Sequence, residues 1–221
     1  MKRKAIKAHW SLWVIVGLSF VVSAALYSKL PEQVPVHWNA AGQVDRYGSR
    51  FEGAFIMPIL NAAMLLLFTW LPALDPRRDS YEKFKKFYKM MQWAMVLFLI
   101  GMQGVTLAWA LGYELSISTF VKFSMGILFM VLGNYLGKVK PNWFVGIKTP
   151  WTLENEEVWT KTHRLAGPLM FLAGLLSLVL AFVDKPFTLW VIVGGLMLAS
   201  FIPIVYSFVL YRQITGKNQG D

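Results

Sequence analysis

The 221-residue sequence contains no cysteine, which excludes disulfide bonds, cysteine-ligated zinc, iron–sulfur clusters and thiol chemistry. It is also poor in charge, because Asp, Glu, Lys and Arg make up only 15% of the residues. A typical soluble domain has about 25%. Hydrophobic residues make up 56% of the sequence, and several long stretches have no charged residue at all. The sequence therefore predicts a protein that crosses a membrane several times.

Six apolar stretches each approach the roughly 20 residues that a helix needs to cross the hydrocarbon core. They are residues 10–30, 52–74, 90–112, 117–137, 165–183 and 188–211. The predicted fold class is all-α: a polytopic membrane protein with a bundle of six transmembrane helices and interfacial helical loops. The first stretch is longer than the apolar region of a signal peptide, so we predict that it stays as a span. The spans divide into two predicted modules, residues 1–112 and 113–221.

The basic residues predict the orientation of the bundle. With the N-terminus inside, most of the 22 Lys and Arg residues fall on the inner side, beginning with Lys2, Arg3, Lys4 and Lys7. The positive-inside rule then predicts that both termini are cytoplasmic. Contact with anionic lipid headgroups accounts for the net charge of +10, so no direct nucleic-acid partner is predicted.

The predicted spans lack charges near their middles, where ion-coupled transporters place them. The charged residues closest to the spans lie at their ends: Glu52, Glu114, Lys122 and Asp184. The polar residues Asn61, Gln103 and Asn134 are interpreted as interhelical hydrogen-bonding groups. A transporter for a small solute or lipid is the alternative, in which these three residues would line a cavity. Gly133 and Gly137 predict a close approach between two helices.

A basic amphipathic helix is predicted before the third span. Asp75-Pro76 has the pattern of a helix N-cap followed by proline. Aromatic residues then recur at helical spacing opposite lysines: Tyr81, Phe84, Phe87 and Tyr88 against Lys83, Lys85, Lys86 and Lys89. Such a helix lies on an anionic lipid surface or docks a cytosolic partner.

The loop between the first two spans is predicted to lie outside and carries possible site residues. Pro31 and Pro35 favour extended backbone, and glycines provide turns. His37 and Asp45 are eight residues apart. They could form a hydrogen bond that fixes the loop, contribute to a ligand or peptide surface, or act in metal binding or catalysis. A metal site needs three or four ligands, and no third ligand is evident.

The connection between the fourth and fifth spans, residues 140–164, is predicted to lie inside and is rich in tryptophan. Its aromatic residues suit the headgroup region: Trp143, Phe144, Trp151 and Trp159. Asn155 predicts a helix start, with Glu157 and Lys161 as an i,i+4 pair. Asn134 is a candidate partner for His163 or Arg164. No catalytic motif is present, so neither an enzyme nor a cofactor is predicted, and a membrane enzyme using His37 and Asp45 is only an alternative.

Both loops resemble known sequences. "PEQVPVHWNAAGQVDRYGSR" resembles an N-terminal module of unknown function in SdpI-like membrane proteins, and "GNYLGKVKPNWFVGIKTPWTLENEEVWTKTHRLAG" resembles the second module of that family. The first motif falls on Pro35, His37, Trp38, Asn39, Gly42 and Asp45. The second falls on Asn142, Trp143, Gly146, Thr149, Pro150, Trp151, Trp159, His163, Arg164 and Gly167. Lys148 stands where the family often has arginine, which loses the planar guanidinium group.

The resemblance implies a bacterial plasma-membrane immunity protein that protects the cell from a secreted peptide toxin. It also implies a signalling receptor that holds a cytosolic transcriptional repressor. The outer motif would then face the toxin, and the inner motif would form the cytoplasmic signalling or structural region. Anionic lipids are the third expected partner.

Overall fold

The computed structural model describes residues 8–113, 115–183 and 185–217. In chain order their helices are α1 (Trp10–Leu26), α2 (Arg50–Leu74), α3 (Ser80–Lys83), α4 (Lys85–Ala110), α5 (Ile117–Leu136), α6 (Pro150–Glu154), α7 (Glu156–Leu180) and α8 (Phe187–Lys217). All but the short α3 and α6 are long and apolar enough to cross a membrane. The six predicted spans are confirmed, and the protein is a polytopic, mainly helical membrane protein.

The loop after α1 forms a β-hairpin, which agrees with the extended backbone predicted from Pro31 and Pro35. A 3₁₀ turn (Tyr27–Lys29) leads into strands β1 (Gln33–Trp38) and β2 (Val44–Ser49), which pair antiparallel. The prolines indicated extended backbone, but the pairing register depends on both strands. We call this end of the bundle the hairpin end. The opposite end is the connector end, named after the connector (residues 137–155) between α5 and α7.

The six long helices pack as two groups of three. Helices α1, α2 and α4 contact one another, as do α5 with α7 and α7 with α8. Leu12, Val16, Leu65 and Val96 form the buried core of the first group. Helices α4 and α5 contact each other between the groups.

Glycines allow α5 and α7 to approach closely. A Cβ atom added to Gly133 would lie 2.5 Å from the backbone nitrogen of Phe171 and 2.7 Å from the carbonyl oxygen of Gly167. One added to Gly126 would lie 2.9 Å from the carbonyl oxygen of Gly174. Because backbone touches backbone at these points, a side chain would force the helices apart. The predicted role of Gly133 is confirmed.

Two of the predicted polar groups join helices. Gln103 on α4 donates to the Ser19 carbonyl and to the Ser23 hydroxyl on α1, both at 2.9 Å. Asn61 on α2 donates to the Val96 carbonyl at 3.2 Å. Asn134, by contrast, is exposed on α5, so the three residues do not form the shared buried lining that the transporter alternative required.

One charged residue near a span end is more buried than predicted. Lys122 lies in the second turn of α5 and is only 3% exposed. Six charged residues used in the sequence predictions lie outside the described residues: Lys2, Arg3, Lys4, Lys7, Glu114 and Asp184.

The aromatic residues before the third span face protein rather than lipid. Tyr81, Phe84, Phe87 and Tyr88 are buried in one cluster with residues of α5, the connector and α7. The amphipathic pattern is present, since Lys83 and Lys86 are exposed, but its apolar face is part of the core. These aromatic side chains therefore anchor the first group of helices to the second.

Candidate functional site

The turn of the hairpin is fixed by Asn39 and Gly42. The Asn39 side-chain oxygen accepts hydrogen bonds from the backbone nitrogens of Ala41 at 2.9 Å and Gln43 at 3.1 Å. Gly42 has φ +77°, which glycine adopts readily and other residues rarely do. These local features explain why the sequence reverses direction at this point.

His37 and Asp45 meet across the two strands. His37 Nδ1 lies 2.6 Å from Asp45 Oδ1, and the side chains are 62% and 41% exposed. The predicted hydrogen bond is confirmed as a contact. Among the described residues, no group of three or more His, Cys, Asp and Glu side chains is placed to hold a metal ion. The pair thus stands as an exposed polar contact near the hairpin tip.

The base of the hairpin is held by α2 and α4. Val34 is fully buried, in a cluster with Leu30, Ala54 and Leu107. Arg46 forms an ion pair with Glu52 at 2.7 Å. Trp38 packs edge-on against Trp109, with ring centroids 6.3 Å apart. Because Val34 and Pro35 are buried, the hairpin is part of the folded bundle and not a free loop.

Asn142 organises the connector. Its side-chain oxygen accepts from the backbone nitrogens of Phe144 and Val145, and its amide donates to the carbonyls of Lys140 and Val145 at 2.8 Å. The residue is completely buried. An amide has both donors and acceptors on one short side chain, so it satisfies backbone groups of both kinds in a tight turn.

Asp75 joins the two groups of helices. One of its oxygens accepts from the Tyr81 hydroxyl and from the backbone nitrogen of Trp143, both at 2.9 Å. The other accepts from the backbone nitrogen of Arg77 at 2.7 Å. Burial and the hydrogen bond to Asp75 raise the pKa of Tyr81 well above its ordinary value. The Tyr81 hydroxyl therefore stays protonated and remains a donor.

The prediction for Asp75 was wrong, because the residue caps no helix start. It is the residue after the last turn of α2, and the next helix begins only at Ser80. Asp75-Pro76 has the local pattern of an N-cap, but its tertiary contacts with the connector are not visible in the sequence. Asp75 and Tyr81 are thus residues of the site that the sequence analysis missed.

Trp159 and His163 form the buried floor of the connector. Their rings stack with centroids 4.2 Å apart, and both side chains are fully buried. His163 Nε2 accepts from the backbone nitrogen of Ile147 at 2.9 Å. Its Nδ1 lies 2.8 Å from the Trp159 carbonyl and must carry the proton, because a carbonyl only accepts. Trp159 was predicted for the lipid headgroup region, which is wrong.

The predicted partner of His163 was also wrong. Asn134 is exposed, and both ring nitrogens of His163 are bonded to backbone groups. The predicted helix start is confirmed, because the Asn155 side chain accepts from the backbone nitrogens of Glu157 and Val158. The Glu157–Lys161 pair is confirmed at 2.7 Å.

The helix α6 attaches the connector to α8. Thr149 caps α6 in a reciprocal capping box with Thr152, and Pro150 occupies the first turn. The Thr149 hydroxyl lies 3.1 Å from the Ser207 hydroxyl, and Trp151 packs on Phe208 with ring centroids 5.0 Å apart. The connector thereby contacts the last helix of the bundle as well as α7.

The chain resembles known protein families and known proteins. The model of the SdpI/YfhL protein family matches residues 138–207, and a domain of unknown function (DUF1648) matches residues 14–62. Over 204 residues the chain is 29% identical to the Immunity protein SdpI of Bacillus subtilis (strain 168). That alignment covers 92% of this chain and 96% of that protein. The chain is an SdpI-like membrane protein.

A second relative is the Uncharacterized membrane protein YbgB of Bacillus subtilis (strain 168). It is 30% identical over 59 residues, which cover 27% of this chain and 60% of that protein. No solved structure matches the SdpI-like chain.

In this SdpI-like protein the inner motif separates into buried and exposed residues. Asn142, Trp159 and His163 are fully buried, and Gly167 packs on the Gly133 backbone. The exposed residues are Trp143, Lys148, Pro150 and Arg164. The Lys148 ammonium donates to the Phe144 carbonyl at 3.1 Å. The motif therefore consists of a structural core under a small basic and aromatic surface.

Gly146 supplies one test of this arrangement. It has φ +117°, and an added Cβ would collide with His163 Nε2. We expect Gly146→Ala to lower the free energy of unfolding by about 2 kcal/mol through backbone strain and loss of the bond to Ile147. Chemical denaturation of the detergent-solubilised protein measures this change.

Gly112→Ala is the matched control, because Gly112 has φ +91° with nothing within 4 Å of an added Cβ. It isolates the strain of a positive φ from the collision with His163. Equal destabilisation by the two variants would show that His163 contributes nothing to the cost.

Proposed function

We propose that this SdpI-like protein is an immunity protein of the bacterial plasma membrane that gives resistance to a secreted peptide toxin. The main support for this proposal is the similarity to the Immunity protein SdpI, which extends over nearly the full length of both chains. The proposal includes the hairpin end as well as the connector, because the similarity covers both. We assign the protein no enzymatic role.

We place both termini in the cytoplasm and the hairpin end outside. Exposed basic side chains at the connector end support this orientation: Lys138, Lys140, Lys148, Lys161 and Arg164. Basic residues next to spans stay on the cytoplasmic side of a bacterial membrane. The same side chains would contact anionic lipid headgroups. We also propose that residues 1–112 and 113–221 are two modules, in agreement with the helix contacts.

In this orientation the hairpin meets the toxin. The proposed contact residues lie on its two strands and its turn: His37, Trp38, Asn39, Gly42 and Asp45. Pro35 of the same motif is buried and cannot make this contact directly. His37 and Asp45 are exposed near the tip, while Val34 fixes the hairpin to the bundle. A surface held by buried residues is pre-organised for binding, which lowers the entropic cost of recognition.

We further propose that the connector holds a cytosolic transcriptional repressor when toxin is bound. Trp143 and Phe144 are 47% and 37% exposed beside Lys148 and Lys140. Exposed aromatic side chains are typical of protein contact sites, and lysines are typical of their polar rim. Asp75 connects this surface to the toxin-facing module through its bond to Trp143.

Alanine variants of the hairpin pair test the toxin-binding role. A sensitive bacterial strain expressing His37→Ala or Asp45→Ala is challenged with secreted peptide toxins. We expect at least about a tenfold loss of protection, which corresponds to about 1.4 kcal/mol of binding energy. An exposed ion pair contributes only about 0.2–1 kcal/mol to folding, so membrane levels should stay unchanged.

Gln33→Ala, an exposed position at the start of the same strand, is the control and should protect fully. If cells without the protein are as resistant as cells expressing it to every peptide tried, the immunity proposal fails.

The same strains test the signalling role, because the repressor should co-purify with the protein. Trp143→Ala should abolish recruitment and keep protection, and loss of both together would contradict the division of roles.

A further inference from the structure

A cavity of about 140 Å³ lies at the hairpin end, between the two groups of helices. The hairpin contributes Trp38 and Gly42, α5 contributes Ile117, Ser118 and Lys122, and α8 contributes Leu189. The hairpin tip is seated on α5, since a Cβ added to Gly42 would lie 3.3 Å from Ser118 Cβ. An occupant of this cavity would therefore touch both halves of the protein.

Lys122 places a buried ammonium group beside this cavity. Its Nζ donates to the Val183 carbonyl at 3.1 Å and to the Thr188 hydroxyl at 3.3 Å, and both partners are neutral. Within the described part of the chain, no carboxylate lies within 4.0 Å of it. An ammonium has three N–H donors, and burying one is favourable only when its charge is compensated.

Trp38 supplies a second donor at the same place. Its indole nitrogen is buried and has no hydrogen-bond acceptor among the described residues. A buried N–H group without an acceptor costs about 1–3 kcal/mol. Trp38 and Lys122 reach the cavity from different halves of the protein, so an acceptor placed between the halves would satisfy both.

The start of α5 adds to the positive potential. Ile117 and Ser118 are the first residues of this 20-residue helix and line the cavity. The N-terminus of a helix carries a partial positive charge, which stabilises a nearby anion. The cavity is thus lined by a residue with a buried ammonium, a residue with an unpaired indole N–H and the first turn of a helix.

We propose that this cavity binds a carboxylate group of a peptide, held by the Lys122 ammonium and the Trp38 indole N–H. The volume is close to that of an engineered 150 Å³ cavity that holds one benzene molecule, so it fits a carboxylate with a short aliphatic stem. Ile117 and Leu189 provide apolar walls for that stem. The identification of the carboxylate with the toxin rests on the proposed function, whereas the site itself does not.

Nuclear magnetic resonance on the full chain in lipid nanodiscs tests the site directly. The protein is labelled with ¹⁵N-tryptophan, and Trp38→Phe identifies the Trp38 indole signal. Propionate is then titrated, with methyl propionate and inorganic phosphate as comparison probes. We expect a saturable shift of the Trp38 signal with propionate and none with the ester or with phosphate. A stronger response to phosphate would overturn the carboxylate assignment in favour of a phosphate or lipid headgroup.

Lys122→Gln should weaken propionate binding by at least about tenfold, while Lys185→Gln, an exposed lysine near the same end, should leave it unchanged. Undiminished binding in a folded Lys122→Gln variant overturns the proposal. If that variant does not fold, Ala40→Leu provides the test. Ala40 lines the cavity, so a larger side chain should fill it and weaken propionate binding.

Asp184 follows Val183 in the chain and lies outside the described residues. Propionate binding that appears only in Asp184→Asn would show that this carboxylate already occupies the site, and would overturn the proposal. The assay also separates two failures. If the protein protects cells but does not bind propionate, only the cavity proposal is contradicted. If it binds propionate but does not protect cells, the immunity function is contradicted and the proposed site is not.

Discussion

Replacing Asp75 with alanine is expected to lower the free energy of unfolding by about 3 kcal/mol. The carboxylate accepts from the Tyr81 hydroxyl and from the backbone nitrogens of Arg77 and Trp143. Removing it leaves the two backbone donors without an acceptor and the Tyr81 hydroxyl with only a longer bond of 3.4 Å to Asn142 Oδ1. An unsatisfied buried donor costs about 1–3 kcal/mol. For a protein of 221 residues, the melting temperature should fall by roughly 6–12 °C.

Thermal unfolding in a fixed detergent measures this effect. Asp79→Ala, an exposed aspartate four residues along the chain, is the matched control and should change the melting temperature little. Tyr81→Phe removes one donor and keeps the carboxylate, so it should cost about 1 kcal/mol. If Asp75→Ala has the same melting temperature as the wild type, the contact between Asp75 and the connector does not stabilise the fold.

Gly133→Leu is expected to cost about 3 kcal/mol or more and to lower the yield of folded protein. A Cβ at this position would lie 2.5 Å from the Phe171 backbone nitrogen, so α5 and α7 must separate. Overpacking a close contact costs about 1–3 kcal/mol even for small additions. Gly133→Ala should show a smaller loss in the same direction. Denaturant unfolding in mixed micelles provides the measurement.

Gly104→Leu is the control for this series, because an added Cβ at Gly104 meets nothing within 4 Å. It introduces the same apolar side chain at an exposed position of α4, where the added Cβ meets no neighbouring backbone. Gly104→Leu should therefore leave stability unchanged or raise it slightly, since glycine is a weak helix former. Similar losses of stability for Gly104→Leu and Gly133→Leu would mean that the added apolar side chain, and not the contact between α5 and α7, determines the loss.

Features that depend on neighbouring residues in the chain were predicted well. The six spans follow from apolar stretches of sufficient length, and the start of α7 follows from Asn155. The contact between Glu157 and Lys161 follows from their i,i+4 spacing. Each of these needs only one helix and its own termini, so the local sequence contains the necessary information.

Features that depend on contacts between distant segments were mispredicted or missed. Asp75 has the local pattern of a helix N-cap, but it binds Trp143, which is 68 residues away. Trp159 has the composition expected at a lipid interface, but it donates to the Val139 carbonyl inside the protein. For both residues, the segment that packs beside the side chain determines whether it contacts lipid, water or protein.

The sequence by itself determined that the chain crosses the membrane six times, and its loop motifs indicated an SdpI-like protein. Only the tertiary structure decided which motif residues are structural and which are exposed. It buries Asn142 and His163 under the connector, leaves His37 and Trp143 exposed, and brings Lys122 to a cavity beside Trp38. The physical reason is that burial and hydrogen-bond partners come from the packing of two helix groups, whereas span length and helix caps come from adjacent residues.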